Sequence, residues 1–429
     1  MGARQAPLTK DYRPGMNGRR LLLSILTIFL PLLAAAQVPA DTAVGEPPLT
    51  VSIVTASPGS EIYQLEGHSA IRLQRPGRYD LAVNWGVFDF KAPNFVWRFV
   101  KGETDYMVAA YPFHYFIEEY AAEGRRLVEQ RLLLDSAQTA RVEELISRNL
   151  RPENATYRYN YVRDNCATRP LGIVEEALGE PLVVDSAFIS HVDSELAGAT
   201  WRSEMTRYHA NYPWYQFGID LALGAGLDRP LELRELAFAP VFLCDMLAHS
   251  YVASSDGSLR PLAGEPQVLL PGKEEGVVLP PTSWLLSPMA VAVDLLVITL
   301  IISFLDIRRR RLSRWFDSLL FGVFFLTGCL LSFLIFVSVH EATSPNWLYL
   351  WLNPLCIIAA VGVWIKSWRR VVYCYQICNF AALILLLAGH HFFGQAFNPA
   401  FPLLIVCDLI RSATCIYVYR SHPKTVLKK

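Results

Sequence analysis

Apolar positions along this chain follow two different patterns. From Val38 to about Ser283 they fall in short alternating runs and in helically spaced runs separated by turn residues; beyond that they form long continuous stretches. The first pattern predicts a packed domain of strands and amphipathic helices over 38–253. The stretches at about 284–305, 317–339, 347–365, 371–389 and 401–419 are each long enough to cross a bilayer, which predicts a bundle of about five membrane helices over 284–419. Between them, 254–283 carries Gly257, Pro261, Gly264, Pro266, Pro271, Gly272, Pro280 and Pro281, the composition of turns and a linker, and 420–429 is left as a tail.

Within the domain, Thr50 to Ala56 alternates as a strand. A second strand begins at Gly67-His68, Arg75-Pro76-Gly77-Arg78 makes a turn, and Asp80 to Gly86 returns. A hairpin pivoting near Pro76 sets Asn84 opposite His68. Further on, Tyr157 to Val162 is strand-like, and Leu171, Val174, Ala177 and Leu178 recur at helical spacing until Gly179. Asp164 or Asn165 is the natural cap and Pro170 belongs in the first turn, which puts Cys166 at a helix N-terminus.

Composition supports the division: 52% of residues are hydrophobic and only 18% charged, short of the roughly one quarter usual in soluble chains. A net charge of zero and the lack of a long basic tract exclude a nucleic-acid partner. Arg308 to Arg311 with Arg314, then Lys366, Arg369 and Arg370, then Arg420, Lys424, Lys428 and Lys429 mark three cytoplasmic loops; the loops 339–346 and 389–400 carry no Lys or Arg and face outward. Arg19 and Arg20, the run Leu21 to Leu33 and Ala34-Ala35-Ala36 have the order of a signal peptide, residues 1–36, cleaved after Ala36. An uncleaved anchor helix is the competing reading, and Met16 is an alternative start. These features predict a multi-pass protein of a bacterial inner membrane with its N-terminal domain in the periplasm.

Six of the eight cysteines lie in the apolar half; only Cys166 and Cys244 lie in the domain, so no disulfide framework is expected. No metal-ligand spacing occurs, and neither metal nor cofactor is expected. At a helix start, the dipole and unpaired N–H groups favour a thiolate and can receive an oxyanion. This suggests Cys166 as nucleophile, His68 as general base and Asn84 as the orienting residue, with Asp80 and Asp89 as alternatives to Asn84. The plainer alternative is a small buried cysteine and an unrelated histidine.

The runs Gly67-His68-Ser69-Ala70-Ile71-Arg72, Asn84-Trp85-Gly86-Val87-Phe88-Asp89-Phe90 and Asn165-Cys166-Ala167-Thr168-Arg169 resemble the periplasmic domain of Lnb-type lipoprotein N-acyltransferases. So do Gly102-Glu103-Thr104-Asp105-Tyr106, the run from Pro213 to Asp220 and the run from His340 to Trp347. The order of strand-His, strand-polar residue and Asn-Cys at a helix start is also similar to the permuted papain-like fold of NlpC/P60 relatives and lecithin retinol acyltransferases. The resemblance implies an α+β permuted papain-like extracytoplasmic domain on a membrane bundle. It implies transfer of an acyl chain from a phospholipid donor through a Cys166 thioester to the N-terminal amine of a diacylated lipoprotein. Arg169 and Arg72, beside the site, and Tyr106, Asp105 and His340, in the matching runs, become candidate substrate contacts; Arg98, Lys101 and Arg125 are further candidates for a phosphate headgroup. The aromatic residues from Phe95 to Tyr120 suit a bilayer interface, an acyl groove or ordinary core packing. Two alternatives share the sequence features: a membrane-anchored phospholipase or cysteine peptidase/amidase, in which water resolves the acyl-enzyme, and a non-catalytic envelope scaffold.

Overall fold

A computed structural model describes residues 47–88, 93–253, 257–273 and 278–421. The expected signal peptide and Asp89 lie outside these residues, as does the tail beyond 421. The domain is built on a seven-stranded sheet in the order β10-β5-β1-β2-β3-β4-β6, antiparallel at every step. Its strands are β1 (Thr50–Ala56), β2 (His68–Arg75), β3 (Tyr79–Val87), β4 (Asp105–Pro112), β5 (Leu127–Arg131) and β6 (Thr156–Arg158), closed at one edge by β10 (Gln267–Leu270). A small second sheet pairs β7 (Val183–Val184), β8 (Ser250–Ala253) and β9 (Leu259–Pro261).

Both faces of the main sheet are covered, because its strands alternate between two apolar sets. Ile53, Ile71, Leu73, Val83 and Trp85 pack into the larger core with Leu171, Val174 and the helix Pro240–Ala248. Val54, Ala70 and Ala82 point the other way, under Phe113, Phe116 and Tyr120 of the helix Phe113–Glu123. The stretch expected as a linker, 254–283, instead supplies β9 and β10. Its turn residues separate two short strands, and Val268 pairs with Val128 of β5.

Among the described residues of the C-terminal half four helices are long and apolar enough to cross a membrane: Pro288–Arg309, Arg314–Phe336, Lys366–Gly389 and Phe401–Arg420. The third of the five expected spans, 347–365, differs. It is wound as the turns Trp347–Leu350 and Pro354–Cys356 followed by the short helix Ile357–Gly362. The break falls at Asn353-Pro354, where proline has no N–H to give a continuing helix. Asn353 lies against Gly328 of the neighbouring helix, where a Cβ would come within 2.5 Å of the Asn353 backbone. The segment still runs from the domain side, where Trp347 N–H donates to Gln395 Oε1 (2.7 Å), to the end marked by arginines, where Trp364 packs on Trp315 (5.0 Å). Irregular backbone at membrane depth is tolerable when protein covers it, and Trp351, Leu352 and Cys356 are buried.

Candidate active site

His68 opens β2, and Gly67 before it has φ +89°; a Cβ there would lie 2.6 Å from Ala56 O, so the turn into the strand needs glycine. The hairpin pairs Ile71 with Val83 and Arg72 with Ala82, two residues out of the expected register. Asn84 is therefore not directly across from His68. The two nonetheless share a face and meet diagonally, with His68 Nε2 2.6 Å from Asn84 Oδ1. Asn84 Nδ2 donates to Tyr111 Oη (3.2 Å), which turns Oδ1 toward the imidazole. His68 Nε2 is thus the protonated nitrogen and donates, leaving the Nδ1 lone pair as the basic site. Tyr120 stacks on the ring (centroids 6.4 Å, planes 16° apart). Burial lowers the imidazole pKa to about 4, helped by the Arg125 charge and opposed by the Asn84 hydrogen bond.

Cys166 is buried just before the helix Thr168–Leu178. Asn165 caps that helix: its Oδ1 accepts from the N–H groups of Ala167 (2.8 Å) and Thr168 (2.9 Å), while Thr168 Oγ1 accepts from Asn165 N–H (2.8 Å). The N–H groups of Ala167 and Thr168 are consequently engaged by the cap rather than open to an oxyanion. Ser69 Oγ donates to Cys166 O (2.8 Å), tying the backbone of Cys166 to the residue after His68. The expected depression of the thiol pKa is not found; burial pushes it up to about 11. The Ser69 N–H, the residue's own N–H and the Tyr159 hydroxyl act the other way, while the Glu66 charge adds to the rise. Among the described residues His68 and Cys166 share no hydrogen bond. Ser69, next to His68 on β2, is the hydrogen-bonded link between them.

The candidate substrate residues are arranged differently from one another. Arg72 is held by Asp80 (2.8 and 2.7 Å) and Glu129 (3.1 and 2.9 Å) and lies over the Phe113 ring. Arg169 is paired with Asp164 and stacked 3.5 Å above Tyr157. Asp105 pairs with Arg98 (2.5 Å). His340 Nε2 is 2.9 Å from Phe99 O and acts as a fastener between the bundle and the helix Phe95–Lys101. Tyr106 stacks on Tyr159 (4.4 Å), whose hydroxyl is among the groups that lower the Cys166 thiol pKa. Of the five basic side chains read as headgroup candidates, Arg125 alone retains a buried nitrogen, Nη2, without a partner among the described residues.

Sequence reasoning missed a buried polar chain beside the site. Tyr161 Oη donates to Glu66 Oε1, which lies 2.8 Å from His209 Nε2; His209 Nδ1 is 2.7 Å from Gln216 Oε1. Gln216 Nε2 then donates to Asp220 Oδ1 (2.8 Å), and Asp220 Oδ2 accepts from Asn398 Nδ2 in the bundle (2.8 Å). The signals available were Glu66 abutting Gly67-His68 and the placement of Gln216 and Asp220 within the run from Pro213 to Asp220; nothing in the sequence joined these residues, which are scattered over more than three hundred positions.

Two family models match the chain: the Lnb N-terminal periplasmic domain over residues 43–194 and the Lnb transmembrane domain over residues 281–422. The fold and these matches define a membrane protein with an α+β periplasmic domain. The chain belongs to the Lnb-type lipoprotein N-acyltransferase family, as the sequence motifs implied. No curated protein and no solved structure matches it.

Proposed function

We propose that this protein is a thiol acyltransferase of the bacterial inner membrane that moves an acyl chain from a phospholipid to the N-terminal amine of a diacylated lipoprotein. The observation that carries the reading is the oriented His68, with a free Nδ1 lone pair and a neutral ring, set one residue from the Ser69 anchor of Cys166. The strand-His, strand-Asn, Cys-helix order supports a permuted papain-like ancestry for the core. In the first half-reaction Cys166 Sγ attacks the phospholipid ester carbonyl as its proton passes to His68 Nδ1. The tetrahedral oxyanion collapses, the C–O bond breaks, and the lysophospholipid oxygen leaves with the proton from His68. In the second, the neutral amine attacks the thioester carbonyl and gives a proton to His68; the C–S bond breaks, an amide is left, and the thiolate takes the proton back. Tyr159 and the N–H groups of Ser69 and Cys166 are the donors aimed at the thiol, and they serve the oxyanion in place of the occupied cap groups. Catalytic hydrogen bonds that are loose without substrate tighten in the reacting complex.

Mass spectrometry of lipoprotein N-terminal peptides tests this reading. Cells carrying the protein convert diacyl to triacyl peptides, and Cys166→Ala or His68→Ala abolishes the conversion. An unchanged ratio with and without the protein refutes transfer; free fatty acid without triacyl peptide assigns hydrolysis. Survival of function in Cys166→Ala assigns a non-catalytic role.

A further inference from the structure

The helix Phe95–Lys101 buries none of its residues, yet it carries Val96, Trp97 and Phe99 at 73%, 57% and 50% exposure. Such a surface is costly in water. It adjoins the membrane bundle: Trp97 packs on Phe333 of the spanning helix Arg314–Phe336 (5.2 Å), and Val339 N–H, just beyond that helix, donates to Lys101 O (2.9 Å). Phe336, Val337 and Val339 are likewise exposed and apolar beside it. Arg98 and Lys101 are tied by Asp105 and Glu103 at the polar side. A short helix with exposed aromatic residues, continuous with the lipid-facing end of a span, belongs in the bilayer interface.

From this helix a chain of aromatic contacts leads inward. Phe99 stacks on Phe95 (6.0 Å), Phe95 on Phe88 (5.8 Å), Phe88 meets Tyr106 (5.2 Å) and Tyr106 stacks on Tyr159 (4.4 Å). Tyr159 brings the series to the turn that carries Cys166: the next residue, Asn160, exchanges backbone hydrogen bonds with Asp164 (3.1 and 2.9 Å), two positions before the thiol. The Tyr159 ring lies over Gly86, where φ is +89° and a Cβ would come within 3.3 Å of it. The β3–β4 register shifts at this glycine, between Trp85 and Val87, so the strand is locally shaped to admit the ring. The four ring-to-ring steps give a contour on the scale of a long acyl chain.

We propose that this track is the acyl-chain site: a phospholipid in the outer leaflet enters beside Trp97 and lays one acyl chain along Phe99, Phe95, Phe88 and Tyr106, which delivers its ester carbonyl to Cys166. Aromatic faces accept methylene chains without directional demands, whereas water gains nothing there. The hydroxyls of the path, those of Tyr106 and Tyr159, lie at its inner end, where the ester is delivered. The inference rests on the proposed transferase reading for its purpose, but the binding it describes does not require catalysis.

Two measurements separate the proposal from that reading. Full-length Cys166→Ala protein in nanodiscs of phosphatidylethanolamine is loaded in parallel with two phosphatidylethanolamines, carrying a photoactivatable diazirine at the end of one acyl chain (reporting on the Phe95–Lys101 helix) or next to its carboxyl (reporting on Tyr106), and the adducts are mapped by mass spectrometry. Adducts on the Phe95–Lys101 helix and at Tyr106 are expected; adducts confined to the outer surface of the spanning helices overturn the track. In the second measurement, single-turnover acylation of Cys166 is followed with hexadecanoyl and hexanoyl donors in wild type, Phe95→Ala and Phe99→Ala. Either substitution slows the hexadecanoyl donor about tenfold, the loss when two methylenes lose their cover, and leaves the hexanoyl donor unchanged. Equal slowing of both donors, or no slowing, overturns the track. If wild type forms no thioester while the mapped adducts persist, the transferase reading falls and the lipid site stands.

Discussion

Replacing Asn84 by Asp changes one atom of the proposed site and tests its electrostatics directly. The shape is kept, since the new carboxylate retains an oxygen where Asn84 Oδ1 accepts from His68 Nε2 (2.6 Å), and Tyr111 Oη can reverse its role and donate to the other. The perturbation is therefore one of charge. Opposite charges about 4 Å apart at an effective dielectric of ~20 interact by ~4 kcal/mol, equal to ~3 pKa units. Added to the His68 pKa of about 4, this moves the ring to ~7, less whatever burial of the new carboxylate offsets. The base works only when neutral. At pH 6 its neutral fraction falls from nearly all to roughly one tenth, so thioester formation at Cys166 slows ~10-fold there and is nearly unchanged at pH 8.5. Single-turnover acylation in proteoliposomes, followed from pH 4.5 to 9, reads the effect as an acid limb displaced toward 7. Asn84→Ala removes the orienting group without adding charge and lowers the rate at every pH. An Asn84→Asp profile whose acid limb stays near 4, or that falls by one factor throughout, refutes the assignment of His68 Nδ1 as the proton acceptor.

Four further outcomes are expected. Because burial holds the Cys166 thiol at about 11, its thiolate fraction at pH 8 is only ~0.001, and iodoacetamide alkylates it ~200-fold more slowly than an ordinary cysteine; a rate that levels off below pH 8 contradicts this. His68 has a depressed folded pKa, so its contribution to stability is fully present above the unfolded value near 6.5 and is lost as pH falls toward about 4. For this partly covered ring the loss is about 2–3 kcal/mol, and stepwise-pH thermal unfolding in detergent should show His68→Gln flattening that slope. Arg411, fully buried, donates to Asp317 Oδ1 (2.7 Å) and Asp306 Oδ2 (2.8 Å); Arg411→Leu costs about 3–5 kcal/mol, and adding Asp306→Asn and Asp317→Asn recovers part of the thermal midpoint. Gly328→Ala drives a methyl into the Asn353 backbone, destabilises the bundle by about 1–3 kcal/mol and lowers the same midpoint; an unchanged midpoint contradicts this packing.

The division into a sheet domain and a membrane bundle was legible because it rests on apolar period and run length, which are local properties. The hairpin and the capped helix at Cys166 were legible for the same reason: Gly67, Pro76, Asn165 and Pro170 act within a few residues of themselves. The register was not, since a turn two residues longer or shorter leaves the same alternation, and only the shared face of His68 and Asn84 survived the error. The break at Asn353-Pro354 was hidden by the surrounding apolar residues, which outweighed the proline; the room the broken segment occupies is left by a glycine on another helix. The thiol pKa was misread because the helix-start argument counts the dipole and omits burial, which dominates here. Arg72 and Arg169 looked available in sequence because their carboxylate partners, Glu129 and Asp164 among them, bear no pattern that marks them as partners.

The contacts between domain and bundle bear on how a site of this kind meets its lipid. A catalytic domain on a flexible tether would have to find the membrane surface anew, with an ordering cost at each encounter. Here the segment leading to the first span is built into the sheet as β10, so the chain is held up to that point. The bundle returns to the domain twice more. Gly224 N–H donates to Ala342 O (2.8 Å) and Asn346 Nδ2 to Leu221 O (2.9 Å), and from the last outer loop Asn398 reaches Asp220. Gly224 has no room for a Cβ, which would lie 2.2 Å from Pro345 O, so this approach is written into the backbone. Buried polar bonds of this kind are expensive to leave half-made, which favours one fixed seating over a range of them. The depth of His68 and Cys166 relative to the bilayer is then set by the fold. Under the proposed function, selection among lipids falls to what can reach that depth, and the polar chain from Asn398 through Asp220, Gln216 and His209 to Glu66 makes the seating of the bundle and the surroundings of the thiol parts of one structure.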